Sequence, residues 1–195
     1  MAGRNTQNNA AFFTLSLEEI HRLFTAAGSE RDELILRTLY FTGIRREELT
    51  NLDAADVHLD RQRIHVRHGK GDKSRLVPIT AELATGLSRY IGRRSTGPLF
   101  RSQRHGRLSV RAINHIVATA GDAAGIRNPH PERKHVSPHL LRHCFARHYL
   151  AADNDLRKVS QILGHANVGI THAIYGTATE EEIADEYSRI MGGRA

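Results

Sequence analysis

Residues 137–176 read SPHLLRHCFARHYLAADNDLRKVSQILGHANVGITHAIYG. Ser137 followed by Pro138 has the form of an N-cap with proline at the first helical position, so a helix starts there and carries His139 and Arg142 near its beginning. Another helix starts at Asp155, and Leu163-Gly164-His165 and then Tyr175 follow in that order. Upstream lie Thr42-Gly43-Ile44-Arg45 and the Gly69-Lys70-Gly71 turn. From these segments Arg45, Lys70, His139, Arg142, His165 and Tyr175 form a set of two arginines, two histidines, one lysine and one tyrosine, suited to attack on a phosphodiester.

Cleaving DNA through a protein nucleophile requires an oxygen nucleophile, cations around the non-bridging phosphate oxygens, a base for the nucleophile and an acid for the leaving 5′-hydroxyl. Arg45 follows a glycine at a turn between helices, and two guanidinium forks such as Arg45 and Arg142 can grip a phosphate bidentately. His139 and His165 can donate to a phosphoryl oxygen or accept a phenolic proton near neutral pH. Lys70 sits between glycines in a turn between two predicted strands, where it can be withdrawn or inserted. A phenol has a pKa of about 10, so Tyr175 must lose its proton or be stabilised as phenolate by neighbouring cations. Tyr40, Tyr90, Tyr149 and Tyr187 are better explained by packing.

Elsewhere, Ser16 with Glu19 forms a capping box and Leu15 with Ile20 a hydrophobic staple, opening a helix with Ile20, Leu23 and Phe24 on its apolar face. A second helix is predicted over 30–42, ending at Gly43, and a short one over 45–49. Val57 and Leu59, Ile64 and Val66, then Leu76, Val77 and Ile79 alternate in short runs, which predicts a small three-stranded antiparallel sheet. Further helices start at Thr80, Ser109 and Thr179, the last with a second capping box to Glu182. Residues 121–137 read as a loop. The chain is thus mainly α with a small sheet.

In order and approximate spacing the motifs closely resemble the tyrosine recombinase, or phage integrase, family, over about residues 15–187. The resemblance implies an α+β catalytic domain at 14–178, a flexible tail at 1–13, and a C-terminal helix and tail at 179–195. That helix, with Ile183, Tyr187, Ile190 and Met191 on one face, packs either on its own domain or in trans on a neighbour. It assigns Arg45 and Arg142 as the catalytic arginines, His139 as general base, His165 as a phosphate contact, Lys70 as general acid and Tyr175 as nucleophile. His143 and Glu48 are implied as supporting residues, Glu48 lying one helical turn after Arg45. Tyr175 comes ten residues after His165, within the family's variation.

The implied reaction is site-specific recombination through a 3′-phosphotyrosyl intermediate, with integration, excision or inversion as outcome. Type IB topoisomerase-like relaxation and a DNA-binding regulator with the same fold are the alternatives. No metal or other cofactor is required, because arginines and lysine supply the positive charge. Implied partners are double-stranded DNA, further copies in a synaptic tetramer, and accessory DNA-bending proteins. Most members carry a separate N-terminal DNA-clamping domain, so the sequence corresponds either to a stand-alone catalytic type or to part of a longer protein.

Composition agrees with a nucleic-acid partner. The 195 residues hold 28 Lys and Arg against 21 acidic residues, a formal charge of +7. Arg67, Lys73, Arg75, Arg107, Arg111, Arg133 and Lys134 are the expected DNA-backbone contacts. The lone Cys144 excludes an intramolecular disulfide, and there is no long apolar run or signal peptide. A cytoplasmic protein, nucleoid-associated when bound, is the expectation.

Overall fold

The computed structural model describes residues 13–67, 74–153, 155–164 and 180–194. Its first helix, α1 (Leu17–Thr25), is built on the expected capping box: the Ser16 hydroxyl accepts from the Glu19 N–H, and the Glu19 carboxylate accepts from the Ser16 N–H. Leu15 and Ile20 are both buried. Helix α2 (Glu30–Thr42) is the centre of the molecule. The sequence marks Leu34, Ile35, Thr38, Leu39 and Phe41 for the core, and all five are buried, with Leu36, Tyr40 and Thr42 beside them. The two threonines tolerate this because their hydroxyls donate to the Leu34 and Thr38 carbonyls.

Helix α3 (Arg46–Asn51) leads through a 3-10 turn (Ala54–Asp56) into β1 (Val57–His58), β2 (Arg63–Val66) and β3 (Arg75–Pro78). The strands form an antiparallel sheet in the order β1-β2-β3, with Val57 opposite Ile64, Ile64 opposite Val77 and Val66 opposite Arg75. Ile64, Val66 and Val77 point into the core. The expected three-stranded sheet is therefore present.

Helices α4 (Ala81–Ile91) and α5 (Val110–Ala123) start after Thr80 and Ser109, whose hydroxyls accept from the Leu83 and Ala112 N–H groups. Two helix boundaries differ from the sequence reading: α3 runs to Asn51 rather than Leu49, with Arg45 just before it, and Gly121, expected to open a loop, is inside α5. A Cβ there would lie 2.7 Å from Val136 Cγ2, so the glycine serves a close approach of the returning chain rather than a turn. Helix α6 (Pro138–Asp153) is capped by Ser137, whose hydroxyl accepts from the Leu140 N–H. Helix α7 (Leu156–Leu163) is capped by Asp155 and ends at Gly164 in the left-handed region. Helix α8 (Glu180–Met191) lies against its own chain, with Tyr187, Ile190 and Met191 buried and the Tyr187 hydroxyl donating to the Phe41 carbonyl at 2.6 Å. The capping box expected at Thr179 and Glu182 lies outside the described residues, as does the tail except for Phe13. No described helix is long and apolar enough to cross a membrane.

Candidate active site

The site is assembled from helix ends. At the C-terminus of α2, Gly43 adopts φ +59°, and a Cβ there would meet Leu163 and Phe145 at 2.6 Å. Only glycine satisfies both demands, and the tight turn sets Arg45 immediately before α3. The Arg45 N–H donates to Glu48 Oε2 at 2.7 Å, and its guanidinium donates to Glu48 Oε1 at 3.0 Å. Glu48, one turn along α3, therefore caps the helix and orients the arginine.

Arg142 reaches across from the start of α6. Its Nη1 donates to the Gly43 carbonyl and its Nη2 to the Leu163 carbonyl at 3.0 Å. Both acceptors lie at helix C-termini, where carbonyls lack helical partners and the dipole favours a cation. Burial, and then the charge of Arg45, pull the Arg142 guanidinium down to about 10, so it stays a cation at neutral pH.

Arg45, His139 and Arg142 line a single cleft of about 440 Å3, together with Arg46, Glu47 and Arg133. His139 is open to solvent. Partial burial, followed by the charges of Arg133 and Arg142 and the nearby His143 and Arg46, holds its imidazole below the ordinary histidine value. At neutral pH it is therefore a proton acceptor surrounded by cations, a combination fit for a general base beside a bound anion. A second cavity of about 440 Å3 adjoins the first, sharing Arg133 and His139 and lined also by Phe13, His130 and His143. The His143 Nε2 is buried without a hydrogen-bond partner among the described residues.

Four of the expected site residues, Lys70, Lys73, His165 and Tyr175, lie outside the described residues. The expected DNA contacts fall into two groups. Arg111, Arg133 and Lys134 are exposed. Arg67 and Arg107 instead share Asp53, with Arg67 also pairing to Asp56 at 2.8 Å and Arg107 donating to the Thr50 and Leu52 carbonyls. Arg75 turns inward to Glu48, its side chain only 12% exposed. The sequence does not single out Arg46 or Asn128 as site residues. Arg46 lines the cleft and donates to Asn114 at 3.2 Å; Asn128 bridges the 128–135 loop by donating to the His135 carbonyl. Adjacency to Arg45 was the only sequence signal for Arg46, and Asn128 had none. Among the described residues no cluster of His, Cys, Asp or Glu is arranged to hold a metal ion.

The fold is thus a helical domain with a three-stranded sheet, and it presents two arginines and a histidine to one cleft. The chain belongs to the phage integrase family, whose sequence profile matches residues 14–182. It is 36% identical over 189 residues to tyrosine recombinase XerA of Thermococcus onnurineus, an alignment covering 92% of this chain and 64% of that protein. The crystal structure of XerA recombinase matches with a TM-score of 0.69 at 34% identity, over 90% of this chain and 62% of that one. XerH recombinase, in a pre-cleavage complex with its difH substrate, matches with a TM-score of 0.67 at 26% identity, over 90% of this chain and 53% of that one. The chain thus spans less than two thirds of the length of each of these relatives.

Proposed function

We propose that the chain is the strand-cleaving part of a site-specific DNA recombinase. The observation that carries this reading is the cleft that Arg45, Arg142 and an uncharged His139 line together, in a family whose relative XerH is bound to its recombination substrate. Arg45 and Arg142 hold the non-bridging oxygens of the scissile phosphate, and His165 donates to one of them. The Tyr175 Oη attacks phosphorus as His139 takes the phenolic proton, and the P–O5′ bond breaks as Lys70 protonates the departing oxygen. The product is a 3′-phosphotyrosyl link. The 5′-hydroxyl of a partner strand then attacks that link, forming a new P–O5′ bond and releasing Tyr175.

Two such rounds exchange both strands through a Holliday junction. This requires duplex DNA and further copies of the chain, a tetramer at synapsis, with accessory DNA-bending proteins as further partners. A cytoplasmic, nucleoid-bound location follows from that role. The fold units expected from the sequence, a catalytic domain at 14–178 and a helix and tail at 179–195, belong to the same reading.

The test is to incubate the chain, in EDTA, with nicked duplex fragments from its source replicon and to look for a protein–DNA adduct stable to SDS. An adduct formed by the native chain and absent from Tyr175→Phe is expected. Salt-sensitive DNA binding without any adduct would point instead to a regulator with this fold.

A further inference from the structure

The inward turn of Arg75 gives it a role that its charge alone does not suggest. Its Nη1 and Nη2 donate to Glu48 Oε1 and Oε2 at 3.0 and 2.9 Å, a bidentate pair, while its Nε donates to the Ile162 carbonyl at 2.8 Å. The Glu48 side chain is only 3% exposed, so this pair is shielded from solvent. A Cβ at Gly164 would lie 2.9 Å from Arg75 Nη1 and 3.0 Å from its Cζ. The glycine that ends α7 is thus also the space through which the guanidinium reaches Glu48. One side chain on β3 thereby joins the carboxylate that orients Arg45 to the last turn of α7, whose next carbonyl, that of Leu163, is held by Arg142.

We propose that Arg75 is a positioning residue of the strand-cleavage site: it fixes Glu48 as the anionic support of Arg45 and locks the end of α7 from which His165 follows. This rests on the recombinase reading above. A DNA-backbone contact by Arg75 is disfavoured because its donors are engaged on Glu48 and Ile162 and its side chain is covered.

The consequence is a dependence on pH. Glu48 faces Arg45 and Glu47 from its own turn, Arg75 from β3, Arg142 from α6, and Asp56 and Arg67 across a small gap beside β2. Burial pushes its carboxyl up, and Arg75, then Arg45, more than offset that. Without Arg75 the strongest influence holding the carboxyl down is gone, burial is opposed less, and Glu48 takes up a proton at a higher pH than in the native chain.

Three single variants test this, Arg75→Met, which keeps the stem and removes the charge, Arg75→Lys and Glu48→Gln, together with the double variant that combines Arg75→Met with Glu48→Gln. The substrate is a nicked duplex of the sequence recovered from native adducts, and a short fluorescent duplex reports affinity. At neutral pH and saturating DNA, Arg75→Met is expected to form adduct about 100-fold more slowly, the scale of loss when a reacting group is misplaced by about 1 Å. Its affinity is expected to stay within about twofold, with the salt slope unchanged. The rate should recover in part as pH rises, while Glu48→Gln gains no such recovery and the double variant is no slower than Glu48→Gln alone. Arg75→Lys, which cannot reproduce the fork, should fall between.

A native rate and pH profile in Arg75→Met would overturn the proposal. So would a loss confined to affinity with the salt slope reduced by about one, the mark of a phosphate contact. Should the native chain itself form no adduct, the recombinase reading fails. The locking of α7 is then judged by hydrogen exchange of the peptide covering residues 156–164, expected to quicken in Arg75→Met and Arg75→Lys; unchanged exchange there contradicts it.

Discussion

Arg142 is fixed by two backbone carbonyls, those of Gly43 and Leu163, before any ligand arrives. A guanidinium held in this way does not reorganise when charge develops in front of it, which is how a preorganised cation favours a transition state. The neighbouring His139 is tuned by the same cations. Because burial and then Arg133 and Arg142 hold its imidazole below the ordinary value of 6.5, the neutral form predominates above that pH and is lost only as pH falls further. In single-turnover cleavage by the free chain at subsaturating DNA, the acid limb should therefore lie below 6.5 and disappear in His139→Gln. A limb that persists in His139→Gln would assign the titration to another group.

At the scale of elements, the site depends on α2, α6 and α7 meeting at Gly43. Gly43→Ala forces a left-handed residue to carry a Cβ against Leu163 and Phe145, and both strain and overpacking are then expected. The expected loss is about 1–3 kcal/mol in urea unfolding, together with slower cleavage because Arg45 and the Arg142 acceptor both shift. An unchanged unfolding midpoint would show that the turn relaxes freely. Much of this architecture was legible beforehand: the Ser16–Glu19 box, the Ser137-Pro138 start and the alternation of Ile64, Val66 and Val77 are local signals that name their elements. Other features are tertiary. The burial of Leu36 and Thr42 in α2, beyond its main apolar positions, follows from the helices around it and is invisible to a single-helix periodicity. Arg75 lies two residues before Val77 and so on the inward face of β3, a signal that strand parity contained, but its positive charge pointed to DNA. That Asp53 takes up both Arg67 and Arg107 depends on a return of the chain from residue 107 to 53, which no local pattern reports.

For the whole molecule, a net charge of +7 predicts that the proposed binding to duplex DNA depends on salt, with affinity falling as counterions compete. The arginines do not contribute equally. Arg111→Ala should lower the slope of log affinity against log salt by about one. Arg107→Ala should change the slope less, because Asp53 already neutralises that guanidinium. Equal slopes for the two variants would mean that the Asp53 pair opens on DNA. The proposed reaction leaves a covalent bond between protein and DNA, and peptide mapping of the adduct locates it. Protease and nuclease digestion followed by mass spectrometry should find the nucleotide on the Tyr175 peptide, joined through a 3′-phosphate and leaving a free 5′-hydroxyl on the cut strand. A nucleotide on any other residue, or a 5′-linkage, would contradict the account.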